Sequence, residues 1–136
     1  MSKTKQFQQT VLRGHAGVFA VASELARQHW IPALTPDNIP DIDILAVKDD
    51  YSRQIAVQVK ELSSKNRGAG WQIRPDRILS QIRYVLVEMP EDGGRPEFFV
   101  LRAEELKDRT HSNMKMPYAK ISKQEQENYH NRWDKL

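Results

Sequence analysis

The run Gln54-Ile55-Ala56-Val57-Gln58-Val59-Lys60 constrains this chain more than any other segment. Ile55, Val57 and Val59 fall on one face of an extended strand, and Ala56, Gln58 and Lys60 on the other. A second apolar run, Ile42 to Val47, precedes it, and the polar stretch Lys48 to Arg53 separates the two. A strand, a short polar turn and a strand make an antiparallel hairpin. The hairpin carries a carboxylate at its entry, Asp43, and an amide and an ammonium near its exit, Gln58 and Lys60.

The flanking segments frame this hairpin. From about Gly14 to His29, Val18, Val21, Ala22 and Leu25 recur at i, i+3, i+4 and i+7, the apolar stripe of a helix. Pro32 stops that helix from continuing, and Thr35 to Pro40 reads as a turn-rich connection. Residues 1–12 read as a polar leader, partly helical or frayed. Glu61 to Gln72 is polar and reads as a loop. Ile82 to Met89 and Glu97 to Leu101 are rich in strand formers, and Asp92-Gly93-Gly94 between them is a turn signal. Ala103 to Leu106 reads as a helical turn. Ser122 with Glu125 three residues on has the form of a capping box, predicting a closing helix over about Lys123 to Trp133. Strands grouped between helices predict an α/β fold, with 1–136 as a single domain.

Charge is concentrated. The net charge is +3 over 136 residues. Between Lys60 and Arg83 six basic residues (Lys60, Lys65, Arg67, Arg74, Arg77, Arg83) face two acids, Glu61 and Asp76, a net of +4. The rest of the chain is −1. Such a window predicts contact with phosphates, against the plainer reading of a solvated face. Trp71, Tyr129 and Trp133 read as core side chains ahead of base-stacking platforms.

Several chemistries are excluded. The chain has no cysteine, so it has no disulfide, no thiolate zinc site and no cysteine nucleophile. It contains no HExxH, no G-x-S-x-G elbow and no phosphate-binding glycine loop followed by Lys-Ser. No apolar run approaches the roughly 18 residues of a membrane helix, and the polar N-terminus lacks a signal-peptide centre. The expected location is the cytoplasm. Asp43 and the Gln58 carbonyl oxygen offer hard ligands to a divalent cation, with a backbone carbonyl near Val59 as a third. Lys60 can hold an attacking water and offset developing charge. The task implied is metal-assisted phosphodiester cleavage.

The pattern Pro40-Asp41-x-Asp43 followed by Gln58-Val59-Lys60 resembles the PD-(D/E)XK nuclease superfamily. The opening helix with Gly14-x-x-Gly17, the Asp-Ile-Leu-Ala-Val and Val-Gln-Val-Lys strands, and Tyr129-x-x-x-Trp133 near the end are similar to small bacterial members. The resemblance implies a restriction-endonuclease-like core, a mixed four- to five-stranded sheet flanked by helices. It implies a nuclease using Mg²⁺ or Mn²⁺, with Asp43, Gln58 and Lys60 catalytic and Asp43 and Gln58 on the metal. Lys65, Arg67, Arg74 and Arg77 would grip the nucleic acid, DNA ahead of RNA, and a homodimer follows by analogy. The sequence departs from the pattern at Val18, where many relatives carry a glutamate, and at Gln58, where most carry an acid. Glu24 lies roughly 120° around the helix from that missing position. The alternative is therefore an inactive module of the same fold that binds nucleic acid or a protein partner. A third reading is an interaction protein with no nucleic-acid role.

Overall fold

A computed structural model describes residues 2–111 and 116–136. The elements in chain order are α1 (Lys3–Arg27), β1 (Trp30–Leu34), β2 (Ile44–Lys48), β3 (Gln54–Ser63), β4 (Trp71–Gln72), β5 (Ile82–Met89), β6 (Glu97–Leu101), α2 (Ala103–Lys107) and β7 (Tyr118–Ala119). The main sheet has the order β1-β2-β3-β5-β6, and β4 pairs with β7 in a small second sheet. β1, β2 and β3 form an antiparallel meander, β5 runs parallel to β3, and β6 returns antiparallel to β5. The fold is mixed α/β, as the grouping of elements predicts. Among the described residues no helix is long and apolar enough to cross a membrane.

α1 begins at Lys3 rather than near Gly14, so the expected leader is mostly helical. Ser2 caps it, its hydroxyl accepting from the Lys5 N–H at 3.2 Å. No glycine or proline interrupts the chain before Gly14, so nothing opposes the extra turns. Val21 and Leu25 are fully buried on the sheet, with Val18 and Ala22 beside them. The helix ends where His29 adopts φ 67°, its N–H donating to the Ala26 carbonyl. That is a left-handed C-terminal cap. The chain then enters β1 directly. Pro32, expected to stop the helix, lies beyond this cap and sits inside a strand. This is tolerated because β1 lies at the sheet edge.

The sheet is buried on both faces at β5. Val85 and Val87 of β5 pack toward α1 with Ile44, Val57 and Val59. Tyr84 and Leu86 pack on the opposite layer with Trp71, Phe99, Leu101 and Leu106. A strand covered on both sides needs a continuous apolar run, which Ile82 to Met89 supplies.

The closing helix expected over Lys123 to Trp133 does not form. Ser122 does donate to Glu125 Oε1 at 3.1 Å. The following residues, Lys123 to Asn128, have no apolar position to bury, so the chain makes only 3-10 turns at Gln126–Asn128 and Trp133–Lys135. Tyr129 and Trp133 go to opposite core layers, not to one helix face. Between them the chain runs along edge strand β6. The Val100 N–H donates to the Tyr129 carbonyl at 2.9 Å, and the Asn131 N–H to the Phe98 carbonyl at 3.0 Å. The edge of the sheet is thereby covered.

Candidate functional site

The site forms where β2 begins against β3. The first ladder pair of β2 is Ile44 with Val57. One step upstream the Asp43 N–H donates to the Val57 carbonyl at 2.9 Å. Beyond that, the Asp43 side chain replaces the missing strand, Oδ2 accepting from the Val59 N–H at 2.7 Å. The approach is fixed from β1 as well. The Thr35 N–H donates to the Asp43 carbonyl at 3.0 Å, and the Thr35 hydroxyl to the Ile42 carbonyl at 2.6 Å. Asp43 is half-buried. Burial pushes its carboxyl above the usual range, and the Val59 N–H and the Lys60 ammonium pull it part of the way back.

β3 runs on through Ser63, so Glu61 is a strand residue and not the start of a loop. It follows Val57 and Val59 on the face toward α1. The glycines of α1 make room for it. A Cβ at Gly17 would lie 3.1 Å from the Glu61 Cβ, and one at Gly14 would lie 3.9 Å from Glu61 Oε2. Burial raises the Glu61 carboxyl, and the Asp43 charge raises it further, while Arg13 and Lys60 oppose the shift. Sequence reasoning missed Glu61. The alternation breaks there, since Glu61 puts a charge on the apolar face, and the signal that could have found it is the Gly14-x-x-Gly17 spacing opposite. Asp43 and Glu61 border one cavity of about 270 Å³ together with His15, Val18, Phe19 and Ile39.

A larger open cleft of about 830 Å³ lies against the same strand. Gln58 and Lys60 border it, as do Asp41, Arg74 and Arg77. The structure thus divides the three residues of the motif. Gln58 and Lys60 share the cleft, and Asp43 borders the smaller cavity with Glu61. Lys60 links the two sides, because its charge acts on both Asp43 and Glu61. Asp41 sits at φ 66° and pairs with Arg77 on the wall of the cleft.

The basic window does not form one patch. Arg67 is drawn into the fold: it pairs with Glu88 and lies over the rings of Trp71 and Phe99 at 4.9 and 4.6 Å. Lys65 pairs with Glu91 at 2.8 Å, which raises the lysine. Arg83 donates to the Lys135 carbonyl at 3.2 Å. Lys60, Arg74 and Arg77 are the basic residues of the window at the cleft. Trp71 is a core residue, 1% exposed, its indole N–H donating to the Val87 carbonyl at 3.0 Å. Tyr129 and Trp133 are buried too.

The donor chemistry suits a hard divalent cation held by few protein groups. Among the described residues no cluster of three or more His, Asp or Glu side chains is arranged around a metal position. Two carboxylates in one cavity remain. Mg²⁺ is commonly held by one or two carboxylates, with substrate phosphates and waters filling its shell. Comparison with protein-family models gives no match to this chain, and comparison with curated proteins gives none.

Proposed function

We propose that this protein is a metal-dependent phosphodiesterase acting on nucleic acid, with a restriction-endonuclease-like core. The observation that carries this reading is the end of β3, where Glu61 shares a cavity with Asp43 while Gln58 and Lys60 border a cleft bearing Arg74 and Arg77. The mixed five-stranded sheet behind a long first helix fits the expected core.

In this reading Asp43 and Glu61 hold Mg²⁺ or Mn²⁺. The bound ion supplies charge neutralisation and an activated water. Asp43 is fixed for this task by the Val59 N–H. Lys60 orients the attacking water and stabilises negative charge on the phosphate oxygens as they are attacked. Gln58 moves in role from metal ligand to the wall of the cleft, where its amide can hydrogen-bond the sugar-phosphate backbone. Arg74 and Arg77 hold flanking phosphates. DNA remains the preferred substrate over RNA.

A second reading keeps the fold and the nucleic acid but not the cleavage. It is favoured by Val18, which faces the carboxylate cavity without an acid. Calorimetric titration separates the two. Mn²⁺ binding that is lost in Asp43→Asn, and strengthened by DNA, supports the enzyme. Salt-dependent DNA binding with no metal binding supports the module.

A further inference from the structure

The large cleft keeps its two arginines in loose ion pairs. Arg77 Nε lies 3.3 Å from Asp41 Oδ1, and Arg77 Nη2 lies 3.4 Å from Asp41 Oδ2. The arrangement is fork to fork, yet both arms exceed the roughly 2.7–2.9 Å of a tight charge-assisted bond. The Arg77 side chain is 48% exposed and Asp41 22%. Arg74 and Asp76 make a single contact at 3.5 Å, both widely exposed. The contrast with Arg67 and Glu88 is informative, since that pair is closed, half-buried and roofed by aromatic rings. Arg67 is built to stay. Arg77 is positioned but weakly held.

Two terminal oxygens of a phosphodiester present the same fork as a carboxylate. We propose that Asp41 is a tethered stand-in for phosphate, occupying Arg77 until a nucleic-acid strand displaces it. This rests on the nucleic-acid reading of the cleft and adds a selectivity to it. A tethered carboxylate competes at high effective concentration. A single phosphate has only one contact with which to displace it. A strand that also meets Lys60 and Arg74 gains several contacts at once. The cleft therefore favours polymers over free phosphate and mononucleotides. Asp41 is a positioning and selectivity residue, not a catalytic one.

The test uses the full chain in EDTA, so that nothing is cleaved. A labelled single-stranded DNA oligonucleotide is bound to the wild type, Asp41→Asn, Arg77→Gln and the double variant. Asparagine tolerates the left-handed backbone of position 41, which keeps the fold intact. Asp41→Asn is expected to bind about 5- to 10-fold tighter, with the salt slope steeper by about 1. Inorganic phosphate should compete better against this variant than against the wild type. Arg77→Gln should bind more weakly, and adding Asp41→Asn to it should bring no gain. If Asp41→Asn binds no tighter than the wild type while Arg77→Gln binds more weakly, the stand-in is overturned and the nucleic-acid reading stands. A gain that persists without Arg77 also overturns it. If no variant, wild type included, binds the oligonucleotide, the nucleic-acid reading fails and the stand-in fails with it.

Discussion

Asp43 Oδ2 takes the Val59 N–H at 2.7 Å, so one carboxylate both completes the strand edge and borders the candidate site. The two jobs can be separated. Asp43→Asn keeps an oxygen acceptor but loses the charge. Asp43→Ala leaves the Val59 N–H without its partner. The alanine variant should lose about 1–3 kcal/mol of stability in urea denaturation, and the asparagine variant clearly less. Equal losses would show that the hydrogen bond contributes nothing to the fold.

The two glycines of α1 should behave differently. At Gly14 an added Cβ meets the Glu61 carboxylate only at ordinary contact, 3.9 Å away. At Gly17 it meets the Glu61 Cβ at 3.1 Å. Gly14→Ala should be neutral or stabilise the helix by up to about 1 kcal/mol. Gly17→Ala should cost about 1–3 kcal/mol or displace β3 from the helix. Thermal unfolding of the two variants reads the contrast.

Glu61 should oppose folding at neutral pH. Its carboxyl lies above the usual range in the folded state, so the folded protein holds that proton more tightly than the unfolded chain. Stability from this group is therefore full below the unfolded carboxylate range. It falls as pH rises through the folded pKa and is flat above it. Glu61→Gln removes the penalty. The variant should melt above the wild type at pH 7, and the difference should shrink on acidification. A variant that melts lower at pH 7 would contradict the assignment.

Arg67 should matter to the fold and not to nucleic acid. Arg67→Ala removes the Glu88 pair and the stacking on Trp71 and Phe99, and should cost about 1–3 kcal/mol. Its folded fraction should bind an oligonucleotide as the wild type does. Arg74→Ala should instead keep its stability, bind more weakly and lose about 1 from the salt slope. A fluorescence anisotropy series in salt distinguishes the two arginines.

Much of the framework is legible because its signals are local. Alternation in Gln54 to Lys60, the stripe through Val21 and Leu25, and the apolar run of β5 each name their element. What was hidden depends on partners distant in sequence. β1 carries Pro32, which argues against a strand until the edge position is known. The charge window mixes cleft residues with Arg67, which neighbours at positions 88 and 99 draw inward. The expected helix at the end failed because a cap without an apolar face has nothing to dock. At the site, the motif spacing led to Asp43, Gln58 and Lys60. It did not reveal that Glu61 would join Asp43 while Gln58 faced the other cavity.

In the proposed function Lys60 and Asp43 serve phosphodiester cleavage. The direct measurement is the single-turnover rate on plasmid and single-stranded DNA in Mg²⁺ and in Mn²⁺, for the wild type, Lys60→Ala and Asp43→Asn. The wild type should cleave in an ion-dependent manner, and each variant should be slower by about 100-fold or more with the fold retained. Cleavage by Lys60→Ala at the wild-type rate, or no cleavage by the wild type in either ion, would contradict the proposed function.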